Sequence, residues 1–429
     1  LKYYNLLVVV TIFPILMGLS SKAKILGPQN IEKRTLTQSS LKSIRLYPTT
    51  NTYDQKTLAP IISIEQNQPL ILEFDDLEDR VKNLFVKLIH CNFDWEPSPL
   101  FEREYLNDFN EFPITEYDFS FNTRIPYIHY IFKVPNVKVS GNYLLKVYDE
   151  DDPEKAILSK RFVIYEKKTE TKVEIGVSSD VGKRRVNQQV DFTLNLARIE
   201  ENNPYDRIKI VIRQNKRWDN ALTDLKPTFI HATQQMLEFR PYRLENNFPG
   251  GNEFRYFDLR SVDFAGEYVR NIIRKNHTVE AFLGDDKSRN NLAYSQYRDI
   301  NGDYVVNNAD NNDSELGAEY VNVHFFLKSE TKLDQTVYIL GSFDNWDRGG
   351  ENQMIFNPQK QQYEGSILLK QGWYNYIYWV EGGNNPLIFE GSHRETENEY
   401  EIIVYYRPLG SITDQVVGYQ KFSSNPGRN

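Results

Sequence analysis

Apolar and polar residues alternate with a period of two in short runs along most of the chain, the pattern of half-buried strands. Leu70, Leu72 and Phe74 alternate with Ile71, Glu73 and Asp75, and Leu84, Val86 and Leu88 with Phe85, Lys87 and Ile89. Ile128, Tyr130, Phe132 and Val134 line one face of a further strand. Gly141-Asn142 is a turn leading into Tyr143–Tyr148, and a turn around Asp151-Asp152-Pro153 leads to Arg161–Tyr165. Val190, Phe192, Leu194 and Leu196 share a face, as do Ile208, Ile210 and Ile212, with Asn202-Asn203-Pro204 as the turn between them. Val321, Val323, Phe325 and Leu327 open a last set of strands, and Tyr400, Ile402, Val404 and Tyr406 close it. No helical periodicity separates these runs, so the pattern predicts an all-β fold of sandwiches rather than an α/β fold.

The charged segment Glu166–Glu170 marks a first boundary, and Asp285–Leu316 is the most polar stretch of the chain. The expected division is a β-sandwich over 42–167, a second over 168–315 with a polar insertion at 285–315, a third over 316–408, and a polar tail over 409–429. Each domain carries a tryptophan beside an aspartate just after a strand, at near-even spacing: Asp94-Trp95, Trp218-Asp219 and Trp346-Asp347. That spacing supports three modules of similar size. Ahead of them, Lys2 gives a short basic region and Leu6–Leu19 is apolar but interrupted by Thr11, Pro14 and Gly18. Ser21-Lys22-Ala23 puts small residues at the positions that flank a cleavage site, so 1–23 is expected to be a signal peptide and 24–41 an extended lead-in.

One loop stands out. After the strand at Leu84–Ile89, Pro97 and Pro99 forbid a central strand, and the next residues carry Phe93, Trp95, Phe101, Tyr105, Phe109 and Phe112. Two readings stand: a lid folded back over its own core, or a sticky surface for a partner. In the second, two prolines stiffen a loop of aromatic anchors, and Asp94, Trp95, Phe101, Tyr105, Phe109, Asn110 and Glu111 form the expected partner-binding surface.

Composition narrows the function classes. The chain has 429 residues, with a formal charge of −8 from 51 basic and 59 acidic residues, which argues against nucleic acid as a partner. Its 28 Tyr and 25 Phe, with abundant Val and Ile, are strand formers. The single cysteine, Cys91, cannot form an internal disulfide, so stability rests on packed cores.

Chemistry is not signalled. The six histidines show no metal-ligand spacing, and there is no nucleophile elbow, phosphate loop or dinucleotide fingerprint. His90 and Cys91, as neighbours on a strand, point to opposite faces and make no nucleophile–base pair. Asp299–Asp310 is a poor match to a calcium loop, because its glycine falls at the fourth position and its twelfth residue is Asp310 rather than glutamate. No catalytic residue, metal or cofactor is assigned, and the expectation is a non-enzyme.

Two resemblances add to this reading. Tyr338–Trp346 and Gly372–Gly382 are similar to the strand-and-turn and hairpin of early-set sandwich modules that bind glycogen and starch. Trp346 matches a sugar-stacking tryptophan of that family, while Ile377 stands where its lysine would be. More specifically, His90–Trp95, Glu104–Glu111, Gly141–Tyr148, Gln214–Ala221, Gly250–Asp258 and Thr396–Pro408 match in order, over roughly residues 40–420, the type IX secretion system plug proteins of the Bacteroidota, which the chain resembles. The resemblances imply three tandem Ig-like, early-set-type sandwiches after a cleaved signal peptide. They also imply a periplasmic protein, peripheral to the inner face of the outer membrane, that closes the SprA-type translocon barrel when no cargo occupies it. The alternatives are a periplasmic carbohydrate-binding protein using Trp346 and an uncharacterised periplasmic hydrolase.

Overall fold

The computed structural model describes residues 37–424, apart from positions 51, 53, 67, 79, 197, 200, 202, 224, 312 and 384. The expected signal peptide and most of the lead-in lie outside the described residues. Strands dominate, and the α-helices among the described residues are single turns, Glu102–Tyr105 and Pro204–Arg207. None of these helices is long and apolar enough to cross a membrane.

The first sandwich packs two sheets. One runs Leu41–Pro48, Leu70–Asp76, Ile128–Lys133, Glu116–Phe119; the other runs Ile61–Ser63, Ala156–Tyr165, Gly141–Asp149, Leu84–Cys91, Phe112–Pro113. The alternation read from the sequence decides which side chains face inward: Leu72, Phe74 and Tyr130 from one sheet meet Leu88, Tyr143 and Leu145 from the other. The second sandwich joins a sheet of Glu170–Val177, Asn187–Asn195, Met236–Phe239 and Phe229–His231, with Asn247–Pro249 alongside, to a sheet of Leu222–Thr223, Ile208–Gln214, Glu399–Tyr406 and Gln415–Ser423. The third joins Val269–Arg274, Val279–Asp286, Tyr320–Lys328, Gln362–Lys370 and Ile355–Asn357 to a sheet in which Gly372–Val380 pairs with Arg255–Asp258, Tyr304–Val306 and Val337–Leu340.

These pairings differ from the expected linear division. Glu399–Tyr406, expected to close the third domain, pairs along its length with Ile208–Gln214 and buries Tyr400, Ile402 and Val404 in the second core. Arg255–Asp258 and Val269–Asp286, expected in the second, line the third core. The third sandwich is therefore inserted within the second, between Pro249 and Thr396. The expected tail holds a strand, Gln415–Ser423, which buries Val416 and Val417. Alternation reports that a segment is a strand and which face is buried; it carries no information on which distant strand it pairs with.

The polar stretch is also ordered. Tyr304–Val306 pairs with Gly372–Val380, and Asn308 Nδ2 donates to Gly317 O at 2.6 Å. The carboxylates weighed as calcium ligands are spent on the protein: Asp299 accepts from Phe254 N and from Asn301 N, and Asp303 pairs with Lys216 at 2.9 Å. Gly302, at φ +82°, lies under the Trp346 ring, where a Cβ would come within 2.5 Å of it, so the turn requires glycine.

The sandwiches meet through buried polar and aromatic joints. Between the first and third, Asp75 accepts from His129 Nδ1 (2.6 Å), Tyr320 OH (2.6 Å) and Lys370 Nζ (2.7 Å). Burial raises the Asp75 carboxyl's proton affinity, but Lys370 and His129 outweigh it and hold the group below its ordinary range. Between the first and second, Tyr405 OH donates to Asn142 Oδ1 at 2.9 Å. The three Trp-Asp pairs converge on this region. Trp95 and Trp218 meet edge to face at 5.0 Å, and Arg217 lies 4.1 Å over the Trp346 ring while pairing with Asp219.

Candidate functional site

The aromatic loop grows out of Leu84–Cys91, an interior strand of its sheet. Trp95 sits at φ 65°, a left-handed conformation unusual for a bulky side chain, fixed by a backbone bond from its N–H to Asn92 O at 2.9 Å. Cys91 bridges to Pro97, and Ser98 N donates to His90 O at 2.8 Å, so the chain doubles back along the strand that it has just left. A single helical turn follows, started by the bond from Phe101 N to Glu104 Oε2 at 2.7 Å.

Two side chains fasten the turn to the strand. Asn110 is 2% exposed. Its Oδ1 accepts from Leu88 N at 2.9 Å, while its Nδ2 donates to Leu88 O and to Glu102 Oε1, both at 2.8 Å. The amide thus satisfies both main-chain groups of one residue, as a neighbouring strand would. The Tyr105 hydroxyl donates to Leu88 O at 3.1 Å, and burial pushes it up to about 12.

The six rings of the loop have three fates. Phe93 packs edge to face on Tyr405 at 5.0 Å and Trp95 on Trp218, both in the second sandwich. Tyr105 lies in the first core with Leu106, and Phe112 packs against it. Phe101 and Phe109 stand out in solvent, 69% and 75% exposed. Of the residues expected on the partner-binding surface, Asp94, Phe101, Phe109 and Glu111 are exposed, Glu111 pairing with Lys87 at 3.1 Å. Trp95, Tyr105 and Asn110 are buried, which corrects the expectation for those three: they hold the loop in place. The correction has a plain cause, since strand Leu84–Cys91 offers main-chain groups and apolar surface that only some of the loop residues can reach.

Trp346 does not present a sugar platform. It is 9% exposed, enclosed by Phe254, Leu340 and Ile377 and covered by Arg217. Cys91 packs in a cluster with Trp95 and Leu144, while the His90 ring lies against Tyr143 at 5.1 Å. Among the described residues, Glu73, His129 and Glu315 bring three ligand atoms within metal-binding distance of one another. Lys56 Nζ already bridges the two carboxylates, at 2.8 Å from Glu73 and in contact with Glu315, so the positive charge there is supplied by the chain. Sequence reasoning missed a second exposed aromatic set, Tyr117, Phe119 and Phe121, at the sheet edge Glu116–Phe119. The run Tyr117-Asp118-Phe119-Ser120-Phe121 alternates, and that was the available signal.

A family model described as "Type 9 secretion system plug protein 1st domain" matches residues 41–166, which is the first sandwich with its loop. No curated protein matches the chain. Among solved structures, it is similar to a hypothetical protein from Parabacteroides merdae ATCC 43184, at 30% identity and a TM-score of 0.85, over 91% of this chain and 98% of that one. The matched domain ties the chain to type IX secretion, and the second comparison extends the likeness across all three sandwiches. The chain belongs to the type 9 secretion system plug protein family.

Proposed function

We propose that this protein is a non-catalytic plug. It seats from the periplasm against the inner opening of the SprA-type outer-membrane translocon barrel and closes it when no cargo is in transit. The observation that carries this reading is the loop within the family-matched domain, where two large rings, Phe101 and Phe109, are exposed on a turn fastened by buried bonds. Rings held out on a stiff support lose little freedom on docking, so their burial goes into affinity. The exposed carboxylates Glu104, Asp108 and Glu111 beside them favour a partner surface with basic groups at its rim.

The test is capture from detergent-solubilised outer membranes. The tagged wild-type chain is expected to retain the barrel. Phe101→Ala combined with Phe109→Ala should reduce capture at least about tenfold, in the range of lost hot-spot anchors, with a thermal midpoint within about 1 °C of wild type because neither ring is buried. Undiminished capture by the double variant would remove the loop from the contact. Absence of the barrel from wild-type eluates would overturn the plug reading.

A further inference from the structure

Where the three sandwiches meet there is a cavity of about 200 Å³. Its walls are Leu41–Pro48 and Ala156–Tyr165 of the first sandwich, the end of Ile208–Gln214 of the second, and Tyr304 and the turn at Ser342–Trp346 of the third. A second cavity of about 260 Å³ adjoins it and shares Ile44, Lys160, Tyr304, Ser342, Asn345 and Asp347 with it. Lys160 thus stands where the two spaces join.

Positive charge is in excess here. Arg213 is paired with Glu401 at 2.6 Å, Arg348 with Asp219 at 3.0 Å, and Lys216 with Asp303 at 2.9 Å. Arg45 and Lys160 are held by neutral oxygens. Arg45 is 7% exposed, lies 3.8 Å over the Tyr304 ring and donates to the carbonyls of Lys56 (2.9 Å) and Tyr304 (2.5 Å), and its Nε has no partner. Lys160 Nζ donates to the amide Oδ1 of Asn345 at 3.3 Å. The one carboxylate that acts on Arg45, Lys160 and Lys216 together is Asp303. Glu73 also acts on Arg45, but Tyr47 and Lys56 already engage it. Asp347, at the exposed mouth, is the remaining carboxylate of the first cavity's lining, and its Oδ1 accepts from Arg348 N at 2.8 Å; the adjoining cavity adds Asp344, which accepts from Asn352 Nδ2 at 2.7 Å, and Glu351, which pairs with Lys42 at 2.7 Å.

We propose that this joint is an anion site: a small oxyanion of the phosphate or sulfate class binds in the cavity between Lys160 and Arg45 and ties the first sandwich to the third. Arg45 is buried and Lys160 half-buried, and Asp303 is the one carboxylate that acts on both, so an anion placed beside Lys160 adds negative charge where cations crowd together and accepts a charge-assisted bond from the ammonium. The crowding of cations shows on Lys160, where desolvation and the adjacent Arg45 push the ammonium down to about 8 against the pull of Asp303. A neutral ligand would relieve none of it.

The experiment is titration of the full chain with sodium phosphate, with sodium sulfate and acetate as further arms and sodium chloride at matched ionic strength as the reference. The thermal midpoint should rise saturably with phosphate and sulfate beyond the chloride reference. In Lys160→Met the apparent affinity should fall at least about tenfold, the scale of one lost charge-assisted contact, while Lys138→Met, on the exposed surface, should leave it unchanged. A phosphate response equal to chloride, or fully kept by Lys160→Met, would overturn the site. A response to acetate equal to that of phosphate would overturn the assignment to tetrahedral oxyanions. A readout needing no variant guards against misfolding: amine acylation of the wild-type chain, read by peptide mass spectrometry. Phosphate should protect Lys160 and chloride should not; equal labelling of Lys160 in both would sink the proposal.

Discussion

Replacing Asn110 tests how the exposed rings are held. Its side chain accepts from Leu88 N, and it shares Leu88 O with Tyr105. Asn110→Ala removes three bonds and leaves a buried main-chain N–H unpaired. At about 0.5–1.5 kcal/mol per net bond, with about 1–3 kcal/mol for the stranded donor, a loss of roughly 2–4 kcal/mol is expected once partial relaxation is allowed. Asn110→Asp is nearly the same shape and keeps an acceptor for Leu88 N. It turns the donor into an oxygen facing two others, Leu88 O at 2.8 Å and Glu102 Oε1 at 2.8 Å, at a site 2% exposed. The isosteric change should therefore cost more than the truncation, because it buries a charge against two acceptors.

The assay is amide hydrogen exchange resolved to Leu84–Cys91 and to the loop, since one unfolding midpoint for three sandwiches would blur a local effect. A loss of roughly 2–4 kcal/mol corresponds to exchange at Leu88 accelerated by roughly 30- to 1,000-fold if it exchanges by local opening. Asn110→Asp should exchange faster still, and both variants should lose capture of the barrel with Phe101 and Phe109 intact. Asn110→Asp with wild-type exchange at Leu88 would refute the reasoning, as would Asn110→Asp being milder than Asn110→Ala.

Two further outcomes follow from the same structure. Trp95→Ala removes a ring buried between the first and second sandwiches, so it should cost about 3–5 kcal/mol and raise proteolytic cutting at the contact with Trp218, read by urea denaturation and limited digestion. Burial pushes the Asp344 carboxyl up to about 8 and Asp299 up to about 7, against the donors that Asn352, Gly341 and Trp346 give the first and Asn301 and Phe254 give the second. Above about pH 4 the unfolded chain releases these protons while the folded chain keeps them, so stability should fall as pH rises from about 4 to 8, and Asp344→Asn should flatten part of that slope in thermal melts. A wild-type midpoint that rises steadily over that window, and is unchanged in slope by Asp344→Asn, would contradict the assignment.

The strands and their inward faces were legible because alternation is a local property: Leu72, Phe74, Leu88, Val190, Phe192, Val323 and Phe325 all face cores as the pattern requires. Pairing was not legible. Tyr400, Ile402 and Val404 alternate as well beside Ile208–Gln214 as they would beside Val321–Leu327, and only the folded chain distinguishes the two. The loop shows the same limit. Nothing in composition separates Tyr105, whose hydroxyl reaches Leu88 O, from Phe101, whose ring stands in solvent beside the Arg103 guanidinium. The near-even Trp-Asp spacing suggests repeated modules. In the structure the three pairs gather at one junction, where Arg213 lies 4.3 Å over Trp218 and Arg217 lies 4.1 Å over Trp346.

That junction bears on what a plug requires, because a body that closes a pore must not hinge at its own boundaries. The chain crosses between the first and second sandwiches once, at the charged segment read as a boundary. There Glu166 N donates to Val416 O and Lys168 N to Val417 O, both at 2.9 Å, so the crossing runs as an extra partner of the last strand. Between the second and third it crosses twice, because the third is an insertion. The two crossings are bonded to each other, with His393 N donating to Gly251 O at 2.7 Å, and are packed so closely that a Cβ on Gly250 would come within 2.0 Å of His393 O. Two covalent tethers and a shared backbone bond resist both bending and twisting, where a single free linker would resist neither. The remaining contact, between the first and third sandwiches, has no chain crossing. It is held by the buried Asp75 cluster on one side, and it contains the cation-rich cavity on the other. Stiffness of the whole body therefore depends most on that non-covalent contact, and charge balance in the cavity acts where the chain itself gives the least restraint.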